Sequence, residues 1–354
     1  MKRGFVLWMA LMLLLVGCSS APVQNTGKTE IGSEAADGGT SGEKTDIEGT
    51  LPTYLARIQD WSLNEEEIAI ALFGGGEYEQ LYDGEGQFFN DRRFLSYAGP
   101  NGKMLSLDSG AMTYYTPQVD GFPHAYFWGN IIMESNQYSP YIELFPEGVE
   151  VVFPEMDLWF MSLDDARELT KKYLDILSVE YGEDWVCYAV PSDRLNEVRK
   201  AEYPDDPTAW NYTEEDERYC FQIPLMAGGK LLTTRGVKVD NSMMIQGSYA
   251  RAMVGSSGLW FLEVWMPFEV VSESASQPII TEESAMTNAR EWYSQLLGTG
   301  KVELESQGIQ YVAHGNKVRN AEAFELTPAW IIKATFEDGT KNLLAVDAYT
   351  GERR

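Results

Sequence analysis

Three cysteines are the residues of this sequence with the clearest potential for covalent chemistry. Cys187 and Cys220 share a local pattern, in which the cysteine is followed by an aromatic residue, a variable residue, an aliphatic residue and a proline. Both patterns predict strands, and if these strands are neighbours in an exported protein, the two thiols could form a disulfide. The alternative is two small, buried, unreactive side chains. The third cysteine, Cys18, directly follows an apolar run near the amino terminus.

The amino terminus has the composition of an export signal. Lys2 and Arg3 precede an uncharged apolar run over residues 4–16, which is too short to span a bilayer comfortably. The run ends in four residues that resemble the lipobox of bacterial lipoproteins: Leu15, Val16, Gly17 and Cys18. This resemblance implies cleavage of a signal peptide of residues 1–17 and a diacylglyceryl group on Cys18, whose two acyl chains hold the protein on the extracytoplasmic face of the cell membrane. The alternatives are an ordinary secretory leader and a transmembrane anchor.

Enzymatic chemistry has little support in the sequence. The two histidines, His124 and His314, lie far apart and without a supporting motif for a zinc site or a nucleophile triad. The metalloprotease, nucleophile-elbow, Walker and dinucleotide-binding patterns are all absent. We therefore predict no catalytic residue, no metal ligand and no cofactor.

Acidic and aromatic residues leave two other functions open. Two of the 54 acids could face one cleft and act as a glycosidase pair, which is the chemistry of an envelope hydrolase. Aromatic residues at 114–115 and 126–128 could stack on a sugar, and residues 210–219 could line a groove for it. Packing within a loop-rich β domain is the simpler interpretation of these rings.

The charge of the chain excludes some partners and its first segment predicts a tether. Lys and Arg number 27 against 54 acids, a formal net charge of −27, so nucleic acid is not an expected partner. Residues 18–50 consist mainly of small and polar residues with almost no large apolar side chain. Such a segment cannot bury enough surface to offset its ordering entropy. It is predicted to be a disordered tether between the membrane and the folded part.

Residues 51–160 are predicted to form a β-rich amino-terminal domain. Asn64 and Glu67 are spaced as a capping box that opens a helix through Leu72, which three glycines then end. A three-stranded meander is predicted after it, with strands over residues 93–98, 103–107 and 111–116. The following stretch is rich in aromatic residues and prolines, which favour loops and edge strands.

The rest of the chain is predicted to form two similar units, residues 161–271 and 272–354. Each opens with an amphipathic helix, capped by Ser162 with Asp165 in the first unit and by Thr281 in the second, and continues with strands. A helix packed on one face of a largely antiparallel sheet, present twice and preceded by the meander, gives an α+β fold class.

Sequence similarity adds a family context to this pattern. Three stretches resemble the ending shared by PepSY-like domains and YycH/YycI-type regulatory proteins of Gram-positive bacteria: residues 327–332, 337–339 and 345–352. Residues 219–225 are similar to an earlier strand of the YycI-like pattern. The whole layout resembles an uncharacterised family of Firmicute lipoproteins. The resemblance implies a YycI-like unit and a PepSY-like unit, and it transfers no catalytic residue. YycH and YycI carry a transmembrane helix in place of the lipobox.

These observations predict a lipid-anchored extracytoplasmic protein without enzymatic activity. Its expected role is that of a binding or regulatory module that contacts a protein or peptide of the cell envelope. A carbohydrate- or solute-binding lipoprotein is the first alternative, and an envelope hydrolase with paired carboxylates is the second.

Overall fold

Helices and mostly antiparallel strands make up the computed structural model, which confirms the predicted α+β class. It describes residues 47–61, 64–85, 93–108, 110–119, 141–142, 151–152, 155–202, 204–206, 208, 211–234, 237–238, 244–245, 247–297, 301–314, 323–337 and 341–354. The proposed signal peptide, Cys18 and nearly all of the proposed tether lie outside these residues. Thr45–Arg354 form one compact unit.

The helices and strands have the following bounds. The helices are α1 (Glu65–Phe73), α2 (Leu163–Ile176), α3 (Ser192–Glu202) and α4 (Glu282–Leu297). The first strands are β1 (Ile47–Leu51), β2 (Tyr54–Ile58), β3 (Glu79–Glu85), β4 (Arg93–Ala98), β5 (Met104–Asp108), β6 (Ala111–Tyr115), β7 (Tyr141–Ile142), β8 (Val151–Val152), β9 (Val186–Val190) and β10 (Arg218–Pro224). The others are β11 (Met226–Ala227), β12 (Lys230–Leu231), β13 (Val237–Lys238), β14 (Met244–Ile245), β15 (Tyr249–Gly255), β16 (Gly258–Trp265), β17 (Phe268–Glu273), β18 (Gln277–Ile280), β19 (Val302–His314), β20 (Phe324–Phe336) and β21 (Lys341–Asp347).

An eight-stranded sheet, here called the large sheet, has the order β3-β4-β5-β6-β16-β15-β10-β9. The predicted meander strands are β4, β5 and β6, and the structure adds β3 as a fourth strand, which the sequence prediction missed. Met112 of β6 lies opposite Val264 of β16, so the meander continues directly into strands from the middle of the chain. Strands from both sides of the predicted boundary near residue 160 therefore belong to one sheet.

Two helices cover one face of the large sheet. α2 begins as predicted, because the Ser162 side chain accepts a hydrogen bond from the Asp165 amide at 3.1 Å. α1 begins differently from the prediction: Asn64 makes no side-chain cap, and its φ of −125° and ψ of 22° are not the extended conformation that capping requires. Gly74, with φ of 74°, ends α1 as expected.

The second sheet, here called the small sheet, has the order β17-β2-β20-β19, with β21 also paired to β20. α4 packs on it after a cap at Thr281, whose hydroxyl accepts from the Ser284 amide at 3.2 Å. Strand β2 comes from the amino-terminal region and pairs with β20 near Leu326, so this sheet also unites distant parts of the chain.

The first described strand pairs with a strand that directly precedes α4. β1 pairs with β18, with Leu51 opposite Gln277, and β1 begins at Ile47, inside the segment predicted to be a tether. A pairing over so long a sequence separation cannot be recognised from local composition. The main core runs through both sheets, since Leu105 and Leu262 belong to the same buried cluster as Phe268 and Phe324.

Candidate binding surface

A tight turn before α2 exposes a tryptophan. Leu158 and Met161 form an antiparallel bridge, and the Met161 amide donates to the Leu158 carbonyl at 3.3 Å. Trp159 and Phe160 therefore occupy the tip of the turn. The Trp159 side chain is 58% exposed, a large value for an indole, and Met156 just before it is 45% exposed.

The exposed indole is held in a fixed position. Its Nε1 donates to the Glu214 carbonyl at 2.9 Å, and its ring meets that of Phe160 edge to face with centroids 5.6 Å apart. Phe160 packs in turn on Tyr219, at 5.7 Å between centroids. The hydroxyl of the buried Tyr219 accepts from the Leu158 amide at 2.5 Å and donates to the Met161 carbonyl at 2.7 Å. The turn is thus fastened to the core of the large sheet.

Carboxylates surround this turn. Glu155 and Asp157 precede Trp159, while Glu214, which accepts from the indole, is followed by Glu215, and all four acids are exposed. None of the four forms an ion pair with another described residue, although Asp157 accepts from the Leu163 amide at 2.9 Å and Glu155 interacts electrostatically with Arg167. We call Met156, Trp159 and these four acids the Trp159 surface. A rigid apolar ring in a negative field is suited to a cationic side chain, which gains both charge attraction and contact with the ring face.

An ion pair lies buried in the middle of the large sheet. Arg251 of β15 and Glu263 of β16 are cross-strand neighbours, with Nη1 and Oε2 3.5 Å apart and side chains 6% and 20% exposed. The guanidinium carbon also lies 4.1 Å from the centre of the Tyr249 ring. Burial raises the pKa of Glu263, while Arg251 and Tyr249 act in the opposite direction. Because Glu263 faces a cation and a phenol, it does not form the carboxylate pair that a glycosidase needs.

The possible disulfide between Cys187 and Cys220 is not formed in the structure, where both are buried free thiols, as in the alternative interpretation. Their strands do pair, but Cys187 lies opposite Phe221 and Cys220 opposite Tyr188. This offset of one residue places the two thiols on opposite faces of the sheet. Burial raises the pKa of Cys220 to about 12, which removes its thiolate at neutral pH.

The histidines supply no nucleophile system in the described part of the chain. The Nε2 atom of His314 accepts from Arg354, whose guanidinium also pairs with the buried Asp347. Burial, together with the charge of Arg354, lowers the pKa of His314 to about 4, so this imidazole is neutral at physiological pH. His124 lies outside the described residues.

The ending that resembles PepSY-like and YycI-like sequences has a structural role here. The Asp347 carboxylate accepts from the amides of Tyr349 and Thr350, at 2.7 and 2.8 Å, and so shapes the turn after β21. Gly351 has φ of 76°, and its carbonyl accepts from Asn288 of α4 at 2.9 Å. This turn therefore attaches the last strand to the helix that covers the small sheet.

The described residues were also searched for a metal site, a cavity and exposed aromatic rings. They contain no group of three or more His, Cys, Asp or Glu side chains placed to hold a metal ion. One cavity, beside Tyr311 and Phe268, has a volume of about 10 Å³, which is space for a single water. Among the aromatic rings considered for sugar stacking, Tyr114 and Tyr219 lie in the core, and residues 126–128 are outside the described part.

The proposed lipidation residues, Leu15, Val16, Gly17 and Cys18, also lie outside the described residues. None of the helices in the described ranges combines the length and apolar character of a bilayer-spanning segment. The sequence interpretation missed Trp159 as a surface residue. Its local signal was an aromatic pair, Trp159 and Phe160, placed between two acids and the helix cap at Ser162.

Comparison with known proteins gives a fold relationship. No family model matches the chain, and no curated protein matches it. Among solved structures, the chain is similar to an uncharacterised protein from Eubacterium rectale, with a TM-score of 0.61 and 14% sequence identity over 86% of each chain. At this level of identity the likeness shows a shared fold and carries no ligand or reaction across.

Proposed function

We propose that this protein is a lipid-anchored extracytoplasmic binding module that contacts a protein of the cell envelope through the Trp159 surface. The single observation that carries the proposal is the combination of 58% exposure and rigid attachment at Trp159. Binding hot spots are enriched in tryptophan, and a ring that is already fixed loses little conformational entropy on binding. The proposed activity is recognition, without a chemical step.

The chemistry of the surface specifies the partner. Glu155, Asp157, Glu214 and Glu215 give the rim of the Trp159 surface a negative charge, so the matching partner surface carries Lys or Arg. A guanidinium or ammonium on the indole face contributes about 0.5–1 kcal/mol where it stays exposed and about 2 kcal/mol where it is desolvated. Nucleic acid is not a matching partner, because its phosphates would meet these carboxylates.

The proposed location follows from the amino-terminal sequence. Diacylglyceryl-modified Cys18 would anchor the protein, and residues 19 to about 46 would separate the folded part from the membrane. A tethered acidic body is placed to meet neighbouring envelope proteins. The regulatory role implied by the YycH/YycI resemblance is compatible with such contacts.

Quantitative affinity purification from cross-linked membranes tests this function. Full-length wild type is compared with Trp159→Ala, with Trp159→Phe, and with Leu296→Ala, which removes an equally exposed apolar side chain from the far end of α4. We expect one protein with a basic surface to be enriched with wild type and with Leu296→Ala, reduced with Trp159→Phe, and lost with Trp159→Ala. Equal recovery with wild type and Trp159→Ala would contradict the proposal.

The exposed indole of Trp159 is also compatible with the carbohydrate-binding alternative, since sugars stack on tryptophan. Against it, the ring lies at the tip of a turn rather than in a concave pocket, which small-molecule sites generally use. Quenching or enhancement of Trp159 fluorescence by envelope glycans, absent in Trp159→Phe, would favour this alternative over a protein partner.

A further inference from the structure

The large sheet ends in a strand with a free side. β3 (Glu79–Glu85) pairs with β4, and within the described residues no strand pairs with its other side. Every residue of β3 is exposed except Gly84, which is half-buried. The register with β4 shifts between Gln80 and Tyr82, which makes Leu81 the extra residue of a bulge. On either side of this bulge, a row of backbone amides and carbonyls faces outward and is able to pair with another strand.

Two large apolar side chains of this edge are exposed to solvent. Leu81 and Tyr82 are 50% and 49% exposed. The Tyr82 ring packs on Phe94 of β4, at 5.5 Å between centroids, and extends over Gly84, where an added Cβ would lie only 2.4 Å from the Tyr82 hydroxyl. Gly84 thus leaves the space that keeps Tyr82 against the sheet.

Ion pairs hold the same strand to the body of the protein. Arg93 of β4 donates from Nε and Nη2 to the two carboxylate oxygens of Asp83, both at 2.7 Å, and from Nη1 to Glu65 of α1 at 3.0 Å. The guanidinium lowers the pKa of Asp83, so this bidentate contact persists at neutral pH. β3 is therefore a fixed template rather than a loose end.

The charge on β3 selects its occupant. With Asp83 engaged by Arg93, Glu79 and Glu85 remain at the two ends of the strand, and Glu77 lies just before it. A second copy would bring the same acids to the edge, and like charges on paired strands repel. We infer that the β3 edge accepts an extended, Lys- or Arg-bearing segment of a partner protein as a ninth strand of the large sheet.

Strand addition would use both the backbone and the side chains of this edge. Main-chain hydrogen bonds along β3 would supply affinity, and alternate side chains of the added segment would supply specificity. Because the register between β3 and β4 shifts between Gln80 and Tyr82, Glu79 lies on the same face of the sheet as Tyr82, and Glu85 lies on the other face, opposite Arg93. Basic residues on the two faces of the added segment would therefore lie near Glu79 and Glu85, and an apolar residue on the Glu79 face would cover Tyr82. This interaction surface is separate from the Trp159 surface, so either one can fail without the other.

Peptide binding to the full-length protein, measured by fluorescence anisotropy, tests this inference. The probe is a labelled six-residue peptide with lysine at its first and last positions and valine between them, at low ionic strength; in an extended strand these two lysines point to opposite faces, as Glu79 and Glu85 do. Its controls are the same peptide with glutamate in place of lysine and one with alternate backbone nitrogens methylated, which cannot pair as a strand. We expect binding of the lysine peptide only, with faster amide exchange of residues 79–85 in the free protein than in the complex.

Variants of the edge separate strand addition from general attraction to an acidic protein. Glu79→Lys/Glu85→Lys should weaken the peptide about tenfold, because two attractive pairs become repulsive. Leu81→Ser should also weaken it. Glu291→Lys on the exposed face of α4 is the charge control, and Trp159→Ala should bind the peptide normally. Equal affinity for the methylated peptide, equal loss with Glu291→Lys, or slow exchange, before addition, of the β3 amides that do not donate to β4 would each overturn the inference.

Discussion

Replacement of Arg251 by leucine should destabilise the protein more at high pH than at low pH. The change leaves Glu263 in the middle of the large sheet without the guanidinium, 3.5 Å away, that compensates its charge. Removing one partner of a buried ion pair typically costs about 3–5 kcal/mol. Since Glu263 keeps 20% exposure and the pair is not bidentate, we expect about 3 kcal/mol at pH 8.

The pH dependence follows from the sign of the pKa change. Burial already raises the pKa of Glu263, and loss of Arg251 would raise it further. An acid whose pKa is higher in the folded than in the unfolded state destabilises the fold only at pH values at which it is ionised in the unfolded chain. The deficit is therefore absent below the unfolded pKa and grows as pH rises through the folded value. One further pKa unit amounts to about 1.4 kcal/mol, so the deficit should shrink by at least that amount between pH 8 and pH 5.

Urea unfolding at both pH values measures this deficit. Arg57→Leu is the control, because Arg57 and Glu269 lie closer, at 2.8 Å, but both are 57% exposed, and we expect a cost below about 1 kcal/mol. Arg251→Leu/Glu263→Leu should recover most of the loss, since it removes both buried charges. A deficit of Arg251→Leu below about 1 kcal/mol, or one that is equal at pH 5 and pH 8, would show that Arg251 does not compensate a buried charge on Glu263.

Three further predictions concern the turn after β21, the anchor and the thiols. Gly351→Ala should cost about 1–3 kcal/mol in thermal or urea unfolding, because its φ is 76° and an added Cβ would lie 2.6 Å from Asn288, whereas Gly49→Ala, with open space around it, should change stability by less than about 0.5 kcal/mol. Cys18→Ser should release the protein from membranes and remove the diacylglyceryl mass from its amino terminus; membrane retention of the variant would argue for a different anchor. Mass spectrometry after alkylation in denaturant should find Cys187 and Cys220 both modified with or without reductant, and modification that requires reductant would show a disulfide.

Local sequence signals predicted the elements well where local interactions decide them. The hydroxyl caps at Ser162 and Thr281 determine where two helices begin, and strand β4 has the predicted bounds. The cap predicted at Asn64 failed because its backbone has the wrong conformation for capping, which the residue type alone does not determine.

The arrangement of the strands could not be predicted in the same way. β2 joins β17 and β20, and β6 joins β16, through contacts between residues more than a hundred positions apart. Pairing register also determines that Cys187 and Cys220 do not form a disulfide, because an offset of one residue places the two thiols on opposite faces of the sheet. Trp159 became a candidate binding residue only once its exposure and its bond to the Glu214 carbonyl were visible.

Site-specific photo-cross-linking at position 156 tests whether the Trp159 surface contacts a protein of the cell envelope. In one variant of the full-length protein, a photoreactive amino acid replaces the exposed Met156, beside Trp159, and cross-linking is done in intact cells. In the control variant, the same amino acid replaces the exposed Leu296. We expect one cross-linked envelope protein from position 156, none from position 296, and loss of the product when Trp159→Ala is added. The same product from both positions, or one that persists after Trp159→Ala, would contradict such a contact.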